Sequence, residues 1–422
     1  MTRRRFLKVA TVVAGSCLYG CVSEPEGKKN IKEFDKTYQY LLDPELRKKE
    51  AGDAQLVIEG AVFSGVDLQG EIWQNIKFTN CDFVGAYQIK PEAIERSVFE
   101  GCRFSGIFNF GILRQVGFFR CLIAKTSHVV GDVGSVGVVF DSCEQMGSDT
   151  DANHWGSFGA YGEVEFIKCK ARLTNLSGET RHVIRECDFE DVRCGINNDD
   201  GGSHVLIENS RLRGRFSMVV ADLRSLTVRD TVVGTLDLND AKVKGAVLIE
   251  RVQGGVVRGY VKHANSFTVR NSKIMGDGQD VFDAYAGGIK TIEIDGTVFG
   301  SGTAKGANNT DGVTIAGGTG ADLAKPRRRV TERLTIRNST IPQLNVDHIH
   351  AAEVRIENSD IAEANLSNSV LGVLRLDNAR FAGALDMSNT RVRDLKQSGG
   401  TEVARLGSQL KLEGSNIKLP RR

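Results

Sequence analysis

One small-residue slot recurs along this chain and limits what it can fold into. "FTNCDF" at residues 78–83 returns as "FEGCRF" at 99–104 and, less intact, as "IRECDF" at 184–189. Cys81, Cys102, Cys121, Cys143, Cys169 and Cys187 follow one another at spacings of 21, 19, 22, 26 and 18 residues. The surrounding pattern is apolar, any, apolar, any, turn residue, small residue, any, apolar. It outlives the cysteines, because the same slot holds Ser210, Thr231, Ser272, Thr297, Ser339, Ser359, Ala379 and Ser415. A disulfide or a metal ligand does not exchange with serine, threonine and alanine. A small buried packing position does.

An internal repeat of roughly 20 residues is the signature of a solenoid, each repeat being one coil. Coils stack as parallel strands ~4.8 Å apart, whereas the Cβ atoms of a disulfide approach to ~3.8 Å, so free thiols are expected. The residue before the slot is often Asn, Asp or Gly, as at Asn80, Gly101, Asn209, Asp230, Asn271, Asn338, Asn358 and Asn378. Those types tolerate the left-handed conformation of a tight corner. The chain has 47 glycines against 6 prolines, and short apolar alternations separated by turn residues. Both features point to an all-β chain.

A finer period runs inside the coarse one. Ile336, Ile341, Val346, Ala351, Ile356, Ile361, Leu366, Leu371, Leu376 and Phe381 fall on a strict five-residue grid. Small residues (Ser339, Ser359, Ala364, Ser369, Ala379) stand two positions ahead of many of these. The grid appears again at Phe63, Leu68, Trp73, Phe78 and Phe83, and at Val228, Val233, Leu238, Val243 and Leu248. "EANLSNSVL" and "DNARFAGAL" resemble the pentapeptide-repeat family. The resemblance covers about half the chain and implies a right-handed parallel β-helix, partly quadrilateral, with four pentapeptides per coil. Between residues 110 and 225 and between 300 and 333 the grid breaks, so looser coils are expected there.

The first residues read as an address. In "MTRRRFLKVATVVAGSCLYGC", Arg3, Arg4, Phe6, Leu7 and Lys8 resemble the twin-arginine export motif. The apolar run after them is too short for a permanent membrane span. Leu18-Tyr19-Gly20-Cys21 resembles a bacterial lipobox, which implies lipidation at Cys21. Val22 follows where an Asp would suggest inner-membrane retention, so the outer membrane is favoured. Removing residues 1–20 as a signal peptide changes the formal net charge from +2 to −2. A tether is expected at 21–29, a helical cap at 30–50 with Phe34, Tyr38, Leu41 and Leu42 on one face, and the β-helix at 54–419. Irregular loops are expected at 144–163 and 300–333, the 42-residue gap from Thr297 to Ser339 matching two coils with a loose one around Val313 and Ile315.

Candidate sites lie mostly in those irregular regions. The loop 144–163 carries His154, Trp155, Phe158 and Tyr161, aromatics suited to stacking on a glycan if exposed. "KPRRRVTER" places Arg327, Arg328 and Arg329 together as a basic patch for anionic lipid or an acidic protein. Asn309-Thr310-Asp311-Gly312 resembles a motif of the polygalacturonase family, inverting glycosidases that use spaced carboxylates. The paired aspartates, Gly-His-Gly and Arg-Ile-Lys of that family do not follow it. Asp347-His348-Ile349-His350 offers two histidines without a third ligand, a poor zinc site, and no metal or cofactor is expected.

No nucleophile, base and oxyanion donor can be assembled from these residues, so no catalytic residue is assigned. Some pentapeptide-repeat proteins mimic DNA and inhibit gyrase. The balanced charge and the export signal argue against that use, and no nucleic-acid partner is expected. The expected function is a non-catalytic, lipid-anchored envelope scaffold that presents a β-helix side face to a protein or glycan, an immunity or accessory lipoprotein being one form. The alternative is a β-helical polysaccharide lyase, hydrolase or epimerase acting on acidic glycans.

Overall fold

The computed structural model describes residues 28–32, 35–86, 89–124, 127–146, 157–176, 181–194, 202–218, 221–259, 261–276, 281–285, 288–300, 312–316, 331–401 and 403–417. The chain is an all-β, right-handed parallel solenoid of about 14 turns, with about 21 residues per turn. Strands on successive coils pair parallel and in register. Val98–Glu100 lies on Lys77–Thr79 near one end, and His350–Glu357 on Val370–Asp377 near the other. A regular coil is two bent strands, such as His350–Glu357 and Asp360–Asn365, joined at corners where Asn358 and Asn368 take φ of 46° and 54°. The corner residues named from the sequence are all left-handed, from 46° at Asn358 to 63° at Gly101. Gly101 has a second constraint: a Cβ there would stand 2.5 Å from the Asn80 side-chain oxygen on the coil below.

The slot after the corner is buried on every coil from Cys81 to Ala379 that carries one of the named residues. The six ladder cysteines are free. Their thiols bond across coils: Cys121, Cys143 and Cys169 each donate to a backbone carbonyl of the coil before, at 3.3 Å. Hydroxyls do more. The Ser339 Oγ donates to the Arg337 carbonyl at 2.7 Å and accepts from the Thr297 N–H at 3.1 Å. The slot therefore requires a small side chain, and where that side chain is a hydroxyl, as at Ser339 and Ser359, it also satisfies a corner N–H of the neighbouring coil. Burial pushes the Cys121, Cys143, Cys169 and Cys187 thiols up, away from the reactive thiolate.

Grid positions form the core. Ile336, Ile341, Val346, Ala351, Ile356, Ile361, Leu366, Leu371 and Leu376 are all buried, and Phe381 is partly so. One inward column changes character along its length. Phe78, Phe99, Phe118, Phe140 and Phe166 stack ring on ring at 4.6–5.4 Å in the first coils. The column then becomes aliphatic, with Ile294, Ile336, Ile356 and Leu376 in successive register. Aromatic faces match the rung spacing and stack offset, while β-branched residues fill the same gap by interlocking.

Among the described residues, no extra coil separates Thr297 from Ser339. Thr297 bonds directly to Ser339, and Val298 is the register partner of Thr340. Residues 297–339 are one enlarged coil, and Val313–Ala316 supplies one of its sides, between Phe282–Tyr285 below and Thr340–Asn345 above. Val313 and Ile315 are buried there, as their apolar spacing predicts. Residue count alone could not separate one long coil from two short ones.

At the N-terminal end Lys29–Asn30 pairs with Ala61–Val62. Two helices follow, α1 (Lys36–Leu42) and α2 (Pro44–Ala51), separated by Asp43. Asp43 accepts from the Glu45 and Leu46 N–H groups as the N-cap of α2, and Pro44 occupies its first turn. Leu41 and Tyr40 are buried in the same core as Leu56 and Ile58. The buried Arg47 donates to the carbonyls of Tyr40, Leu41 and Ile72, tying both helices to the coil. Phe34 lies outside the described residues.

Candidate functional site

Two polar ladders run along the solenoid, and they differ in what they leave unpaired. On the first, residues just before the corner alternate in sign: Arg185, Glu208, Arg229, Glu250 and Arg270 stand on successive coils. Arg185 and Arg229 both hold Glu208, and Arg270 holds Glu250 at 2.7 Å. Burial pushes the Glu208 carboxyl up, but the two guanidiniums outweigh it and bring it below the usual range. This side neutralises itself and has little charge left for a partner.

The second ladder ends in a groove. Thr314, Asn345, Asn365, Asp386 and Lys411 are register partners on successive coils. Each of the middle three precedes an inward residue (Val346, Leu366, Met387), which turns its own side chain outward at the bend. The groove has a volume of about 260 Å³, and its polar lining is Thr314, Gln343, Asn345, Glu363, Asn365, Asp386 and Lys411.

Turn chemistry holds part of that lining rigid. The Asn365 side-chain oxygen accepts from the Ser367 N–H at 3.0 Å, and Asp386 accepts from the Ser388 N–H at 2.9 Å. The Asn365 amide then donates to the Asn345 oxygen at 2.9 Å. Burial pushes the Asp386 carboxyl up, but hydrogen bonds from Ser388 and the Lys411 ammonium outweigh it and hold it low. Lys411 Nζ lies 3.7 Å from Asp386. Glu363 is exposed, two residues before Asn365, and no cation among the described residues pairs with it. Chemically the groove offers fixed amide groups, carboxylates and one ammonium, a set suited to hydroxyls and amines.

The residues singled out from the sequence fall elsewhere. Phe158 turns inward and packs on Phe140 and Phe166, while Tyr161 on the strand Ser157–Ile167 is exposed. His154, Trp155, Arg327, Arg328, Arg329 and Asp311 lie outside the described residues, as do Cys21, Arg3, Arg4, Phe6, Leu7 and Lys8. Val346 and Ile349 point inward, His350 is exposed, and the His348 ring nitrogen lies 2.9 Å from Asp347. Among the described residues no three potential ligands converge on a metal-sized site.

The sequence reading missed the groove, although a signal was present. Asn345, Asn365 and Asp386 stand one repeat apart, each just before an inward grid or near-grid residue. No family model matches the chain, and no curated protein or solved structure does either. Fold and groove together define the class: a parallel β-solenoid with a rigid polar groove on one side.

Proposed function

We propose that this chain is an exported, lipid-anchored cell-envelope protein of pentapeptide-repeat type. In this reading it acts without catalysis, binding a glycan through the side groove around Asn365. The groove carries the proposal. It is concave, its amides are oriented by turn hydrogen bonds, and it presents donors and acceptors of the kind that recognise hydroxyl groups. The twin-arginine-like head and lipobox supply the address, with the outer membrane favoured. The six free buried thiols support export of an already folded chain, since they are out of reach of an oxidising compartment.

A second reading has one observation in its favour. Asp386 is the register partner of Asn365, so it is one coil away from Glu363 and two residues out of step. A rung of ~4.8 Å and a two-residue rise of ~6.6 Å put their backbone positions on a diagonal of about 8 Å, from which both side chains turn outward. Inverting glycosidases space their carboxyls by ~6.5–9.5 Å. Glycan hydrolysis by Glu363 and Asp386 is therefore the alternative.

The test incubates the mature protein with a panel of polysaccharides and follows both binding and release of reducing ends. Binding without release, weakened by Asn365→Ala, supports the scaffold. Release that is lost in both Glu363→Gln and Asp386→Asn establishes the enzyme instead. For the anchor, a palmitate analogue labels the wild type and not Cys21→Ser, and equal labelling of both refutes lipidation at Cys21.

A further inference from the structure

We infer that the groove selects a hydroxyl-rich ligand bearing a protonated amine, an amino sugar within a glycan, and disfavours polymers of uronic acid. The inference rests on the glycan-binding reading above and names the chemical class of the ligand.

Charge decides the class. The second ladder continues below Thr314 through Asp283, Arg258 and Asp237, and each of its carboxylates has a cation beside it, whereas Glu363 stands off the ladder as the register partner of Gln343. Asp237 pairs with Arg215, Asp283 has Arg258 as its register partner, and Asp386 has Lys411 at 3.7 Å. Glu363 has none among the described residues, so the groove carries one uncompensated negative charge. A ligand carboxylate would meet Glu363 and Asp386 together, and the sole ammonium in the lining is already shared with Asp386. A ligand ammonium meets the opposite situation: the open carboxylate of Glu363 on one side, the fixed Asn345 and Asn365 amides beside it for neighbouring hydroxyls. Glu363 is exposed and makes no turn hydrogen bond, so it can be changed without disturbing the coil.

Titration calorimetry on the full mature chain tests this with oligomers of equal length: chitosan, its fully N-acetylated counterpart, and oligogalacturonate. Acetylation removes the charge and keeps the ring hydroxyls. The deacetylated oligomer should bind about fivefold tighter than the acetylated one, the worth of one exposed charge contact. The difference should vanish in Glu363→Gln and shrink at high salt, with oligogalacturonate weakest. Equal affinity of the two chitin-type oligomers, a gap that survives in Glu363→Gln, or tightest binding by oligogalacturonate overturns the charge assignment while leaving glycan binding in place. If no oligomer binds, the glycan-binding reading falls, and this inference with it. Unchanged melting of Glu363→Gln confirms that the comparison is between folded proteins.

Discussion

Phe99→Ala tests the stacked core most directly. The ring is fully buried and lies 4.8 Å from both Phe78 and Phe118, nearly parallel to each. Truncating a buried Phe costs ~3–5 kcal/mol, and each good aromatic pair is worth ~0.5–1.5 kcal/mol beyond its buried area. Two such stacks place Phe99 at the upper end, about 4–5 kcal/mol. Phe299 is the control, since it is also buried but has one ring partner among the described residues, Phe282, at 5.8 Å. Phe299→Ala should cost about 3 kcal/mol. Because each coil touches only its neighbours, the loss should be local. Hydrogen exchange read by mass spectrometry should show the opening free energy falling across residues 76–123 in Phe99→Ala. The strand Val370–Asp377 should change by less than ~0.5 kcal/mol. An equal fall in both regions, or a smaller cost for Phe99 than for Phe299, would refute the column argument.

Two further outcomes follow from the slot and the ionic ladder. Iodoacetamide at pH 8 should leave Cys121, Cys143, Cys169 and Cys187 unmodified in the native protein and label all four once it is denatured, because burial pushes those thiols up. Cys121→Ser should change the unfolding free energy by less than ~1 kcal/mol, since hydroxyls occupy the same slot elsewhere. Native-state labelling, or a large loss in Cys121→Ser, would mean that the slot is not what the repeat implies. The Glu208 carboxyl is held below its ordinary value of 4.5 by Arg229 and Arg185 against the effect of burial. Its pairing therefore stabilises the fold fully above that value and is lost as pH falls through the lowered folded value. Glu208→Gln should flatten the stability profile below pH 4.5 relative to wild type, and a parallel profile would show that the pair contributes nothing.

Much of the fold was legible because a solenoid repeats its environment. Every coil asks the same question at the slot, so Cys81, Ser210, Thr231 and Ala379 answer it in a pattern visible without coordinates. The left-handed corners were legible for the same reason at Asn80 or Asn358. They were less so at Arg120, Lys168 and Arg251, which take φ of 52°, 52° and 49° although their side chains do not advertise a corner. There the neighbouring coils impose the conformation that Asn would have adopted more readily.

The aromatic content of the loop 144–163 was legible, but its direction was not, and Phe158 turned out to belong to the core. Glu363 and Asp386 look like ordinary surface charges in the sequence, 23 residues apart. A pattern of spacings carries no information about where a side becomes concave.

The sequence by itself determined the repeat, the inward grid and the small slot, because each depends only on a residue and its equivalents one coil away. The tertiary structure alone decided that 297–339 is one enlarged coil, since the hydrogen bond from Thr297 to Ser339 joins residues that a count of spacings assigns to coils two apart. It also decided where the groove forms. Which outward positions gather into a groove depends on how successive coils bend and on what lines their edges, and that geometry exists only once the stack has closed.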